Sequence, residues 1–358
     1  MKRLIYVLIL ALVLGVGAWS QANAADTSLV SHQVSQEEMQ ATAAYWTPER
    51  MRAAKPYPLP TKEGAPGVGP TEAAPTGPPG AVNGSSGQTS TLLSEDEFDV
   101  LAYTGAFAEP AAPVPMANGY DYPPPHNTFN VTKGFYGTTG SKYPYKAIGK
   151  VFFTQSAVNY VCSGSSGGGR AVLTAGHCVS SGANVWSTNT TFVPSYKNNI
   201  RPYGTWVAFN LWTFTAWHTS KDFARDVGYI IVSDQGGLKL SQRVGYLGFA
   251  WNYSRVQMYN MFGYPQAAPY NGAWLVTTQA SYATQDGSEN PNTTGIGFSQ
   301  TGCCSGGPWI KDYRHVTSGA CNYANGVNSY IYSGSPLQIY SPYFDTSVND
   351  LRLSAIAN

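Results

Sequence analysis

Two stretches decide how this chain is read: Leu173-Thr174-Ala175-Gly176-His177-Cys178 and, far downstream, Thr301-Gly302-Cys303-Cys304-Ser305-Gly306-Gly307-Pro308-Trp309. A serine hydroxyl is unreactive at its own pKa and needs a neighbouring imidazole to take its proton. It also needs backbone N–H groups aimed at the oxyanion that forms on attack, and glycines beside the serine allow the tight turn that presents them. The imidazole needs a buried carboxylate to fix its tautomer and steady its charged form. His177 and Ser305 stand in such surroundings, and Asp222 and Asp226 follow His177 in the chain. The other histidines, His32, His126, His218 and His315, sit in no recognisable motif. The Gly164–Gly169 run lacks the Gly-Lys-Ser/Thr ending of a phosphate-binding loop and reads as a strand connector.

Around these stretches, residues 135–358 alternate short β-branched and aromatic runs with Gly, Asn, Ser and Pro. Lys150–Thr154, Thr205–Phe209, Val227–Val232, Arg255–Tyr259 and Trp274–Thr278 are examples. That spacing predicts an all-β sandwich or barrel. Asp345 to Ala357 carries a helical pattern and predicts a closing helix.

The first 134 residues are different. Lys2 and Arg3 precede the apolar run Leu4–Val16, and Ala22-Asn23-Ala24 follows. This predicts a secretory signal peptide over residues 1–24, too short to span a membrane, and hence an exported protein. Residues 25–134 hold 15 of the 24 prolines and no cysteine. Lys55–Ser90 and Glu109–Pro125 read as extended linkers with too little to bury to offset their ordering entropy. Thr47-Pro48-Glu49 reads as an N-cap, a first-turn proline and an early carboxylate. Ser94–Leu101 alternates acidic with apolar residues.

The formal charge of +1 over 358 residues conceals a split. Residues 25–134 have 12 acidic and 5 basic residues, net −7, whereas residues 135–358 have 8 and 14, net +6. The near-neutral sum argues against a nucleic-acid partner.

Thr174-Ala175-Gly176-His177-Cys178 together with Ser305-Gly306-Gly307-Pro308 resembles the trypsin/chymotrypsin-like serine peptidase superfamily, and within it the secreted microbial branch that includes the glutamyl endopeptidases. The resemblance covers about residues 140–340. It implies two six-stranded antiparallel β-barrels with the active site between them, a C-terminal helix, and a largely extended Pro-rich leader in front. The implied activity is peptide-bond hydrolysis through an acyl-enzyme by a monomer that needs no cofactor or metal. His177 is the implied general base and Ser305 the nucleophile. The superfamily's acid directly precedes an apolar strand. Asp226 does so, while Asp222 leads into Phe223-Ala224-Arg225 and Asp234 follows the strand. The implied oxyanion donors are the amides of Cys303 and Ser305. Cys303 departs from the glycine usual at that place, and that departure motivates an alternative reading as a non-catalytic binding or assembly homologue.

Cys162 and Cys178 match the family's bridge beside the histidine, which a chain-entropy argument values at roughly 3 kcal/mol. Cys304–Cys321 is the preferred second bridge, with other pairings of Cys303, Cys304 and Cys321 left open. By motif position the specificity pocket is lined by Ser299 and Gln300, and by Asn328, Ser329 and Tyr330. No acid lies between Pro291 and Lys311, which disfavours a trypsin-like pocket, and Asn328 stands where glutamyl endopeptidases have histidine. Trp46–Met51 resembles segments ahead of the peptidase domain in bacterial relatives. Residues 25–134 therefore read as a pro-segment, docking its negative charge on the 135–358 peptidase domain and released by cleavage between Lys133 and Tyr145. The expected partners are peptide or protein substrates and this pro-segment.

Overall fold

The computed structural model describes residues 26–67, 74–75, 77–87, 130–134, 138–315 and 320–358. The signal peptide expected over 1–24, the Ser94–Leu101 piece and the second linker Glu109–Pro125 lie outside the described residues.

The alternating runs form strands wherever one face or both can be covered. Strands β6 (Ile148–Gln155), β7 (Val158–Gly168), β8 (Ala171–Thr174), β9 (Thr188–Pro194), β10 (Trp206–Phe214) and β11 (Gly228–Val232) pair antiparallel. The order β10-β11-β8-β7-β6-β9 returns to β10, so this barrel is closed. Its interior packs Val151, Phe153, Val172, Phe192, Trp206 and Ile230, all almost wholly buried. Closure pairs every strand of the barrel on both sides over part of its length, while the Tyr160–Val161 end of β7 extends past β8 and keeps an edge free for another segment.

The second sheet uses β12 (Gly248–Trp251), β13 (Met258–Gly263), β14 (Val276–Asp286), β15 (Thr293–Gly297), β16 (Pro308–Lys311), β17 (Tyr323–Val327), β18 (Tyr330–Tyr332) and β19 (Ser335–Ser341). Its path runs β18-β19-β15-β14-β13-β16-β17. Strands β17 and β18 are one run of chain that changes neighbours at Asn328–Ser329. The Asn328 amide donates to Gly307 O at 3.0 Å and the Ser329 amide to Tyr340 O at 3.1 Å. The path thus comes back on itself through a covalent link, giving the second barrel-like layer. A helix over Thr346–Ile356, capped by Asp345 on the Val348 amide at 3.0 Å, closes the chain as the sequence predicts.

The leader is where structure and composition part. Residues 26–67 form β1 (Leu29–Gln33), helices α1 (Gln36–Tyr45) and α2 (Pro48–Ala53), β2 (Lys55–Pro56) and β3 (Thr61–Lys62), and farther along come β4 (Gly80–Val82) and β5 (Asn130–Gly134). The Ser35 and Thr47 hydroxyls cap the two helices. β1 pairs with β10, β2 with β7, β3 with β18 and β4 with β12. Trp46, Met51 and Ala54 are buried against the first barrel, with the Trp46 ring beside Phe152 and its indole donating to Asn189 O at 2.6 Å. The stretch from Lys55 was expected to be a linker because its own composition offers little to bury. What it buries against is the other domain.

The cysteines require one correction. Cys162 and Cys178 are bridged, but Cys303, Cys304 and Cys321 are all free thiols, so the expected Cys304–Cys321 bridge is absent. The cause is the hairpin that separates them. Cys304 lies just ahead of Pro308, which pairs with Val327, while Cys321 lies beyond Tyr323, which pairs with Lys311 at the opposite end. The Cys304 side chain packs inward with Tyr259, Met261 and Trp309 instead. Denatured, unreduced protein titrated with a thiol reagent will give three thiols per chain; one thiol would restore the second bridge.

Candidate active site

Asp226 occupies the junction between a 3₁₀ turn, Phe223–Arg225, and β11. Its carboxylate is fully buried. Oδ1 accepts the His177 backbone N–H at 2.7 Å and Oδ2 accepts the Nδ1–H of the same residue at 2.8 Å. Oδ2 also accepts a short hydrogen bond from Ser329 Oγ. Gly176 makes this approach feasible, because a Cβ there would lie 2.7 Å from the Trp217 ring and 2.9 Å from Asp226 Oδ1. Next door, Arg225 forms a buried ion pair with Asp345 at 2.9 Å, tying the turn to the C-terminal helix cap. Removing one member of such a pair costs about 3–5 kcal/mol.

Ser305 sits in the turn before β16, fully buried. Its carbonyl accepts from the Ser163 amide at 2.7 Å, next to the bridged Cys162. Gly306 has φ +75°, and a Cβ there would fall 2.1 Å from Thr174 Oγ1 and 2.8 Å from the Ala175 amide. The serine turn therefore abuts the start of the histidine helix. Ser305 Oγ and His177 Nε2 are both buried, and neither makes a hydrogen bond. Such catalytic contacts commonly tighten only once substrate is bound.

Cys303, where glycine was expected, has φ +80°, in the region that favours glycine. A non-glycine residue there carries strain of order 1–3 kcal/mol. The surroundings hold it. Ser163 Oγ donates to Cys303 O at 2.8 Å and accepts the Tyr264 amide at 2.9 Å. Neither the Cys303 nor the Ser305 amide donates a hydrogen bond among the described residues, so neither is committed to a protein acceptor. Burial pushes the Cys303 thiol up to about 12, only partly offset by the Lys150 ammonium. Burial likewise raises the Cys304 thiol and lowers Lys150 to about 8. Neither thiol is disposed to act as a thiolate.

The anticipated pocket residues divide. Asn328 is fully engaged: Nδ2 donates to Cys304 O at 2.7 Å and Phe262 O at 3.1 Å, and Oδ1 accepts from the Trp309 indole at 2.7 Å. It fixes the serine turn. Ser329 bears on Asp226. Tyr330 stands in an aromatic group with Tyr332 and Tyr340 and donates to Asp286 Oδ2 at 2.7 Å. Gln300 Nε2 donates to Thr278 Oγ1 at 3.2 Å, and the Ser299 carbonyl accepts from Tyr270 at 3.0 Å.

Over this site lies the leader. Tyr57 stacks on the His177 ring, with centroids 5.3 Å apart and planes at 21°. Its amide donates to Val161 O at 3.1 Å and its hydroxyl to Gln155 Oε1 at 3.2 Å, while Gln155 Nε2 donates to His177 O at 3.1 Å. Farther on, the Ile331 amide donates to Pro60 O at 2.9 Å. The leader thus crosses from β7 to β18, parallel to both. Sequence reasoning missed Ser163, Tyr57 and Gln155. Only Ser163 had a signal, its place directly after Cys162.

Cys162, Cys178 and His177 bring potential ligand atoms within 4.8 Å of one another, but both sulfurs are spent in the disulfide and offer no thiolate to a metal.

No protein-family model matches the chain. An extracellular metalloprotease of Bacillus subtilis (strain 168) is 26% identical over 198 residues, covering 53% of this chain. The chain spans 59% of that protein's length. Among solved structures, the protease Anisep of Arthrobacter nicotinovorans is 36% identical with a TM-score of 0.55, covering 60% of this chain and 96% of its own. The thermostable serine protease AL20 from an extremophilic microorganism is 32% identical with a TM-score of 0.54, over 60% of this chain and 98% of its own. A Glu endopeptidase at 16% identity and a TM-score of 0.51, covering 63% of this chain and 97% of its own, shares the fold. With a closed six-stranded barrel, a second sheet beside it and two bacterial proteases matched over nearly their whole lengths, the chain belongs to the chymotrypsin-like serine protease superfamily.

Proposed function

We propose that the chain is the precursor of an exported serine endopeptidase, with His177, Asp226 and Ser305 as its triad. The observation that carries the reading is the buried Asp226 carboxylate bound to His177 Nδ1 at 2.8 Å, beside the turn that carries Ser305. Held this way, the imidazole keeps its proton on Nδ1 and leaves Nε2 free to take one. Ser305 Oγ attacks the substrate carbonyl as its proton passes to Nε2. The amides of Cys303 and Ser305 receive the oxyanion. His177 returns the proton to the leaving amine, and water then hydrolyses the acyl-enzyme by the same route in reverse. Asp226 offsets the positive charge on the imidazole, and the Ser329 hydroxyl bonded to it holds the carboxylate in place.

Residues 25–134 act as the inhibitory pro-segment. Tyr57 covers His177, and the direction of the leader explains how it survives there. The leaving amine must lie beside His177, toward Val161, and the acyl side must lie along β18. A productive peptide therefore runs from β18 to β7. The leader runs from β7 to β18 and presents its carbonyls with the opposite polarity.

A serine-directed fluorophosphonate will label processed protein from culture medium, and Ser305→Ala will abolish labelling. His177→Ala and Asp226→Asn will each lower kcat by roughly 10⁴-fold. A folded, processed protein that fails to label would instead favour the non-catalytic homologue. Full-length precursor will label slowly, and Tyr57→Ala in the full chain will raise that rate by about tenfold, since stacked rings contribute roughly 0.5–1.5 kcal/mol beyond the area they bury. The mature N-terminus will fall between Lys133 and Tyr145; a start at Ala25 would overturn the pro-segment. Cys303→Gly, which suits φ +80° without strain, will retain labelling within about threefold.

A further inference from the structure

Lys62 is one of five basic residues in the 25–134 segment, and its surroundings are unlike those of a surface lysine. Nζ donates to Asp286 Oδ2 at 3.3 Å, to Ser288 Oγ at 3.2 Å and, by a short bond, to Glu289 Oε1. It also lies 5.0 Å from the centroid of the Tyr332 ring, 5.4 Å from Tyr330 and 5.8 Å from Phe223. Two carboxylates and three aromatic faces around one ammonium make a recess built for a cation.

The residues that line the recess all come from outside the leader, although the leader's Gly67 amide also donates to Asp286 Oδ1 at 3.3 Å. The Asp286 side chain is fully buried and accepts from Tyr330 at 2.7 Å, Tyr332 at 2.6 Å and Ser288 Oγ at 2.6 Å. Burial alone would raise the Asp286 carboxyl, but the hydroxyls of Ser288, Tyr332 and Tyr330 hold it down at about 2. Among the described residues, Lys62 is the sole ion-pair partner of both Asp286 and Glu289. When the leader leaves, two carboxylates in partly dry surroundings lose their counter-charge, which favours another cation in the same place.

The position is that of a substrate. β3 pairs with β18, with Thr61 opposite Ile331 and Lys62 opposite Tyr332. β18 begins directly after Ser329, which bonds Asp226. Lys62 is five residues beyond Tyr57, which stacks on His177, a reach of roughly 15 Å for extended chain. A peptide of opposite direction on the same edge also sends alternate side chains to this face.

Resting on the peptidase reading above, we propose that Phe223, Asp286, Glu289, Tyr330 and Tyr332 form a recognition subsite for a lysine or arginine of the substrate, three or four residues before the bond that is cut, and that Lys62 fills it in the precursor. The subsite is distinct from the neutral pocket beside Ser299 and Gln300, so the basic residue is recognised away from the scissile bond.

The test presents peptides that carry Lys, Ala or Glu at each of five positions before the cleaved bond to processed protein from culture medium. At the third or fourth position kcat/KM will be about tenfold higher for Lys than for Ala and lowest for Glu. Glu289→Gln and Asp286→Asn will each shrink the Lys-to-Ala ratio to about threefold or less. Should Asp286→Asn fail to fold, the more superficial Glu289→Gln carries the test. Equal rates for Lys and Ala at every position, or an unchanged ratio in the variants, overturns the subsite while leaving the peptidase reading intact. Absence of any cleavage overturns the peptidase reading instead. The recess is then probed in full-length Lys62→Ala, Ser305→Ala protein: n-butylamine raising Tm where n-butanol does not supports the cation site, and equal responses overturn it.

Discussion

The buried carboxylate of Asp226 is the constraint on which the two barrels agree. A charge removed from water must be met by donors on every side, or it costs several kcal/mol. Here the donors come from separate parts of the chain: the amide and ring of His177 after β8, and the hydroxyl of Ser329 between β17 and β18. The first barrel delivers the histidine and the second delivers the serine hydroxyl. A shift of either barrel would strip the carboxylate of a partner, so their relative placement is held at the site where alignment matters most. The Arg225–Asp345 pair, one residue away, adds the C-terminal helix to the same junction.

The leader exploits the surfaces this arrangement leaves open. Strand edges at β7 and β18 flank the cleft and carry unpaired backbone groups, ready for any extended peptide. The leader fills both with backbone hydrogen bonds, anchored upstream by Trp46 and Met51 and downstream by Lys62. A segment rich in proline suits this role. It is already extended and loses little entropy on docking, and the amides it lacks are not needed where only one edge is paired. The charge split of −7 against +6 acts in the same sense at long range, but the contact that is both charged and nearly dry is the lysine among Asp286 and Glu289.

The local parts of the molecule were legible in the sequence. His177, Ser305 and Asp226 sit in short motifs whose chemistry is written in adjacent residues. The strand runs and the Asp345 cap are equally local. Features made by distant segments were not legible. Lys55–Lys62 looks too poor in apolar residues to order itself, which is true, because its partners lie about a hundred residues or more downstream. The Cys304–Cys321 pairing was misjudged for a related reason: pairing depends on which end of the β16–β17 hairpin each cysteine occupies, and spacing along the chain does not carry that. Asn328 and Ser329 were expected in the lining of the substrate pocket. Their work is to brace the serine turn and the carboxylate, since both side chains spend their hydrogen-bonding groups on those partners.

Cys303 raised the sharpest doubt in the sequence, and its geometry answers in physical terms. Under the proposed reading the Cys303 amide is an oxyanion donor, and the residue is held at φ +80°. Glycine adopts it freely, whereas cysteine must be held there. Three supports are present: Ser163 Oγ on the carbonyl, the Tyr264 amide on that hydroxyl, and a dry pocket for the thiol beside Lys150. If the position had drifted free of function, the relaxed outcome would be a cysteine with negative φ and its amide turned away. Strain is retained where surrounding contacts over-determine it, and under the proposed reading the residue held in strain is the one whose amide receives the oxyanion. The same supports explain how a larger side chain can replace glycine: its thiol has a dry place between Lys150 and Gln266.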